Sequence, residues 1–181
     1  MKALVLSMAL MQLSCFAFAG SYPQGIDEYD PTSDFYYKSV VTQDNRGLLS
    51  KGGQIGNIAI VNLAAGTTQL LFKEPIKGAL RTFLYEAGHK EGAILFSHEG
   101  YSPVRNNRNI EKRPPRNRLL IELALPDGRG SELHTAEKDG KNLKKLVTVP
   151  TGASWHIDVK NSKLRIVHRT GDSIRLENFD W

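Results

Sequence analysis

Only one residue in 181 is a cysteine, and the chain has just three methionines and two tryptophans. The single thiol, Cys15, excludes an intramolecular disulfide, a Cys-rich zinc site and a dithiol redox pair. Nowhere do apolar residues recur at i, i+3, i+4 and i+7 over a dozen positions between caps, which argues against a helical fold. There is no Gly-x-Ser-x-Gly elbow, no His-Glu-x-x-His pair and no phosphate-binding loop of the Walker type. The glycine-rich stretch KGGQIGN at 51–57 precedes a strand-like run instead of opening a helix, so it reads as a hairpin loop. No catalytic residue and no cofactor is assigned from these patterns.

The first twenty residues, MKALVLSMALMQLSCFAFAG, have a charged Lys2, an apolar stretch and the small-x-small triplet Ala17-Phe18-Ala19. That is the pattern of a secretory signal peptide over residues 1–19. A bilayer span needs about 20 apolar residues; here the run is short and broken by Ser7, Gln12 and Ser14. The triplet Gln12-Leu13-Ser14 before Cys15 departs from the lipoprotein pattern. Cleavage after Ala19 removes the only cysteine and leaves 162 residues, enough for one domain held by burial alone. The expected location is periplasmic or secreted, with no transmembrane segment in the mature chain.

Beyond Ala19 the chain is a succession of short runs. Residues 20–34 form an acidic N-terminal arm carrying Asp27, Glu28, Asp30 and Asp34, and a single β domain is expected over 35–181. Residues 35–41, FYYKSVV, have strand composition. NIAIVNL, GALRTFLYEAG, EGAILFSHEG, RLLIELALPDG, SELHTAEKDG, NLKKLVTVP, ASWHIDV, SKLRIVHRTG and DSIRLENFDW come after it, most of them ending at Gly, Asp-Gly, Lys-Asn or Pro. Runs of this length with such turns predict an all-β, antiparallel meander. Residues 131–147 read as a hairpin with Asp139-Gly140 as a two-residue turn.

Three segments align without gaps, starting Ile58-Ala59-Ile60, Leu133-His134-Thr135 and Ile174-Arg175-Leu176, at spacings of 75 and 41 residues. A period near 40 residues, with one divergent copy in the longer gap, predicts three to four propeller-blade-like sheets. At about 40–45 residues per blade the chain reaches four blades at most, so an incomplete propeller is among the expected outcomes. The open edge of the final run would be covered by residues 35–41.

In residues 137–146 the turn Glu137-Lys138-Asp139-Gly140 and the strand ending Leu143-Lys144-Lys145-Leu146 resemble the blade motif of the TolB-like β-propeller family. Ser154-Trp155 matches the first half of that family's second motif, with residues 156–161 in place of its Pro-Asp-Gly. The resemblance covers about residues 131–181 and, more weakly, 56–72. It implies a protein-binding or scaffolding surface, because the matched residues are structural.

The chemically distinct segment is SPVRNNRNIEKRPPRNR, residues 102–118, with Arg105, Arg108, Lys112, Arg113, Arg116 and Arg118 against the single acid Glu111. Its local charge of +5 exceeds the +4 that remains when Lys2 is removed from the chain's +5. Pro114-Pro115 blocks helix and central-strand pairing, so an exposed loop is expected, and the six cations are the candidate binding residues. Guanidinium forks suit carboxylate and phosphate; without interleaved aromatics, nucleic acid is disfavoured. The expectation is a noncatalytic binding or scaffolding protein of the bacterial envelope, contacting a protein or anionic envelope polymer, with self-association left open. The alternative is a secreted hydrolase or metal-dependent enzyme using Glu86, His89, Glu91, His98 and Glu99. The acidic arm is an internal competitor for the basic loop.

Overall fold

The computed structural model describes residues 25–42, 53–97, 104–105 and 112–181. The expected signal peptide, Arg108, His98 and Glu99 lie outside the described residues. The strands in chain order are β1 (Asp27–Tyr29), β2 (Phe35–Thr42), β3 (Gln54–Asn62), β4 (Thr67–Leu70), β5 (Leu80–Lys90), β6 (Ala93–Phe96), β7 (Val104–Arg105), β8 (Leu119–Ala124), β9 (Gly130–Ala136), β10 (Lys144–Pro150), β11 (Ser154–Asp158), β12 (Lys163–Thr170) and β13 (Ser173–Asp180). Among the described residues no helix is long and apolar enough to cross a membrane. The fold is all-β.

Three sheets form, ordered β1-β2-β3-β4, β10-β9-β8-β5-β6 and β13-β12-β11-β7. Every pairing is antiparallel except that of β7 with β11. Tyr37, Ile58, Ile60 and Leu71 of the first sheet and its border pack on Phe83, Tyr85, Leu119 and Ile121 of the second. Leu84, Leu120 and Leu133 of the second pack instead on Ile157, Leu164, Ile166 and Trp181. Neighbouring residues of a strand point to opposite faces, so the second sheet is a middle layer buried on both. That is why its strands read as unbroken apolar runs, Phe83-Leu84-Tyr85 and Leu119-Leu120-Ile121. The outer sheets alternate: Ile58 and Ile60, or Leu164 and Ile166, face inward with less buried residues between them.

The internal similarity has a structural counterpart. Its three segments lie in β3, β9 and β13, each the third strand of its meander: β1-β2-β3-β4, β5-β8-β9-β10 and β11-β12-β13. Among the described residues the longer gap holds no divergent copy. Its excess is β6, β7 and the basic segment, inserted between β5 and β8. The sheets do not close into a ring among the described residues.

Two further expectations are corrected. Residues 35–41 do not cover the final strand, because β2 is already paired on both sides, with β1 and β3. Within the acidic stretch 20–34, Asp27–Tyr29 joins the first sheet, and Ile26 and Asp30 are buried. The hairpin at 131–147 has a longer connection, residues 137–143, between β9 and β10. The Glu137 N–H donates to the Lys141 carbonyl at 2.9 Å and the Gly140 N–H to the Glu137 carbonyl at 2.8 Å, so residues 138–140 form a tight turn within it, with Gly140 at φ +82° in its left-handed position. A Cβ on Gly140 would also come within 2.7 Å of Ile60 Cδ1. Lys138, at the head of that turn, is turned into the molecule.

Glu28 of β1 stands opposite Tyr37, on the inward face of the first sheet. Burial pushes its carboxyl up to about 7, against a smaller opposing pull from a hydrogen bond with Tyr85. A folded-state value raised above the ordinary 4.5 means that stability declines as pH rises from there through about 7. Glu28→Gln is therefore expected to melt higher than wild type at pH 8, by a margin that shrinks towards pH 4.5. Thermal melts across that range check it; a constant difference at all pH values contradicts it.

Candidate functional site

The basic segment is anchored at its C-terminal half by a single carboxylate. Glu86 lies on β5, on the face that carries Leu84, and is fully buried. Arg113 grips it with two guanidinium hydrogen bonds, Nη1 to Oε2 at 2.6 Å and Nη2 to Oε1 at 2.7 Å. The Arg116 backbone N–H donates to Oε2 at 2.8 Å and the Trp181 indole Nε1–H to Oε1 at 2.9 Å. Burial alone would raise the Glu86 carboxyl, but Arg113, the Arg116 N–H and Trp181 outweigh it and hold the group below its ordinary range.

Two more arginines tie the segment to the third sheet. Arg116 Nη2 donates to Ser162 Oγ at 2.8 Å, and Arg118 Nη1 to the Asp180 carbonyl at 2.8 Å. The Arg118 guanidinium also stands 6.0 Å from the Trp181 ring centroid. Of the six cations expected to be exposed, Arg113, Arg116 and Arg118 are thus half-buried and structurally engaged, whereas Lys112 is exposed. Arg105 is in β7, beside Asp158 of β11 in the parallel pairing.

On the opposite face of the middle sheet, Lys138 is 4% exposed. Its ammonium pairs with Asp30 at 2.7 Å and donates to Thr32 Oγ1 at 2.6 Å and to the Glu86 carbonyl at 2.8 Å. Asp30 in turn accepts from the Thr32 N–H and from the hydroxyls of Thr32 and Ser33. Burial works to raise Asp30, yet Lys138 and these donors hold it below its ordinary value. The carbonyl of Lys138 accepts from the Tyr37 hydroxyl at 3.1 Å. Asp30 is therefore committed to Lys138 and is no competitor for the basic segment. Sequence patterns did not separate Lys138 from the other lysines; its place just before Asp-Gly in a loop is the only signal.

These two clusters frame an open groove of about 440 Å³, lined by Thr32, Gly88, His89, Lys112, Arg113, Pro114 and Pro115. The groove offers cations, one hydroxyl and two proline rings, with no carboxylate on its lining. A second cleft of about 220 Å³ runs between β4 and the 138–140 loop, where Gln69 Nε2 donates to the Asp139 carbonyl. Of the side chains that a hydrolase or metal site would use, Glu86 is consumed by Arg113. No group of three or more His, Cys, Asp or Glu suited to a metal occurs among the described residues.

Residues 158–161 close the turn between β11 and β12 through one carboxylate. Asp158 accepts from the Asn161 N–H and side-chain amide and from Arg165 Nε and Nη2. Although burial acts to raise it, Asn161 and Arg165 bring the Asp158 carboxyl down to about 2.

No family model matches the chain. No curated protein matches it. Among solved structures, a chain of a crystal structure of a nidogen/laminin complex aligns over 84% of this chain and 70% of its own length, at 10% identity and a TM-score of 0.22. A likeness at that level carries no argument about fold or function.

Because Arg113 neutralises a buried carboxylate, replacing Arg113, Arg116 and Arg118 together by Ser is expected to destabilise the fold by about 3–5 kcal/mol, the cost of stranding a buried charge. Chemical denaturation measures it. A loss under about 0.5 kcal/mol, the range of an ordinary surface change, would show that these arginines are free surface cations.

Proposed function

We propose that the protein is an exported, noncatalytic binding or scaffolding protein of the bacterial envelope, and that its basic ledge receives an acidic segment of a partner protein. The observation that carries this reading is the anchoring of residues 113–118 by Glu86. It leaves Lys112 exposed in the lining of a groove that it shares with Pro114, Pro115 and Gly88. An exposed cation beside two proline rings suits an extended acidic polypeptide, whose carboxylates can meet the charge. Arg105 and Arg108 belong to the same segment and add to its charge.

Export rests on residues 1–19, and a periplasmic or secreted location follows from it. The resemblance to TolB-like propellers is taken as one of blade construction, in keeping with a role in contact and not in catalysis. Of the residues that the hydrolase reading would use, Glu86 has both oxygens bonded, and His98 and Glu99 lie outside the described residues.

A pull-down from envelope extract at low and moderate salt, comparing wild type with an Arg105→Ser, Arg108→Ser, Lys112→Ser variant, tests the proposal. Wild type is expected to retain acidic proteins at low salt and release them as screening shortens to about 8 Å at physiological ionic strength. The variant should lose them with an unchanged melting temperature. Recovery of the same proteins by both would overturn the reading, and retention of lipopolysaccharide in place of protein would move the partner to an envelope polyanion.

A further inference from the structure

In the first two sheets the third strand of the meander is covered by a fourth: β4 pairs with β3, and β10 with β9. The corresponding strand of the third sheet, β13, has β12 on one side and no strand on the other among the described residues. Ile174 and Leu176 on it are 63% and 52% exposed. Unpaired edges of this length are usually blunted by short strands, proline or inward charge. This one is eight residues long and lacks proline, and its charges Arg175 and Glu177 are of opposite sign.

The backbone register states which groups face outward. Ser162 and Trp181 continue the β12–β13 register, and the Trp181 N–H donates to the Ser162 carbonyl at 2.9 Å. Hydrogen-bonded and non-hydrogen-bonded pairs alternate along an antiparallel ladder. The residues whose N–H and C=O point away from β12 are therefore Ile174, Leu176, Asn178 and Asp180. The Arg118 bond to the Asp180 carbonyl agrees with this and caps the edge at that end. Three residues, Ile174, Leu176 and Asn178, are left open.

We propose that this edge pairs with the same edge of a second copy of the chain, antiparallel and two-fold symmetric about Leu176. In that register Leu176 meets Leu176 of the other copy, and each Ile174 meets Asn178. All three are hydrogen-bonded pairs, giving six backbone bonds. Arg175 and Glu177 then fall directly opposite each other, twice, in the non-hydrogen-bonded pairs where side chains approach most closely. Arg175 has no hydrogen-bond or ion-pair partner among the described residues, whereas Glu177 meets His168 at 3.2 Å. Sliding the strands by two residues in either direction sets Arg175 against Arg175 or Glu177 against Glu177, so charge selects one register. Ser173, Ile174, Arg175 and Leu176 are all exposed, so the rest of the molecule does not overhang the dyad.

Sedimentation equilibrium of the full chain between about 1 and 500 µM tests the pairing, the span over which a weak protein dimer dissociates. Wild type is expected to dimerise. Arg175→Glu or Glu177→Arg alone should raise the dissociation constant about tenfold or more, through two opposed like-charge pairs. The double reversal on one chain should restore it, as should an equimolar mixture of the two single variants. Leu176→Pro should abolish dimerisation with an unchanged circular dichroism spectrum, because the Leu176 N–H faces the open edge and not β12. A monomeric wild type, single reversals that dimerise as tightly as wild type, or a double reversal that fails to recover would each overturn the proposal.

Discussion

Glu86 is a fully buried carboxylate on a strand whose two faces meet two different sheets, and such a charge is tolerated only when each oxygen is satisfied. The chain meets this demand from distant parts of the sequence: the Arg113 fork, the Arg116 N–H and the Trp181 indole all converge on it. On the other face the carbonyl of the same residue accepts from Lys138, which carries Asp30 and the turn at 30–33 with it. One residue thus joins the first sheet, the middle sheet, the basic segment and the end of the third sheet. The apolar clusters supply the bulk of the burial, and the polar bonds at Glu86 select how the layers are registered against one another.

This joint also defines what remains for function. The arginines nearest Glu86 are engaged in holding the stack together, so the proposed binding role is left to Lys112 and to the cations before it in the sequence. The proline pair, which looks from composition like a simple breaker, sits between Arg113 and Arg116 and lets both the Arg113 side chain and the Arg116 amide reach one carboxylate. A rigid basic ledge beside a groove is a different object from a solvated loop, since ordering it for a partner costs less conformational entropy.

Much of the architecture was legible in residue patterns, for identifiable reasons. Runs of five to eight residues between turn signals marked the strands, and the repeat marked the third strand of each meander. The unbroken apolar runs at 83–85 and 119–121 are the mark of a sheet covered on both faces, which the strand count alone did not convey. What was hidden is mostly a matter of long-range polar pairing. Arg113 and Glu86 are 27 residues apart, and Lys138 and Asp30 are 108 apart. Nothing in the local charge pattern distinguishes an arginine that will close on a buried acid from one left in water. The length of the 137–143 connection was hidden for a subtler reason: Asp-Gly suits a two-residue turn, and only the ladder, which begins with Thr135 opposite Lys144, shows that more residues lie outside it.

The most direct test of Glu86 as the joint is hydrogen exchange and pH titration of the two tryptophan indole N–H signals by nuclear magnetic resonance. The Trp181 N–H, bonded to Glu86 inside the stack, is expected to exchange only on global unfolding and to shift when Glu86 protonates, below the ordinary range of a glutamate. If both indoles exchange within the time of an open loop and neither shift follows an acidic titration, Glu86 is not the joint on which the three sheets are registered.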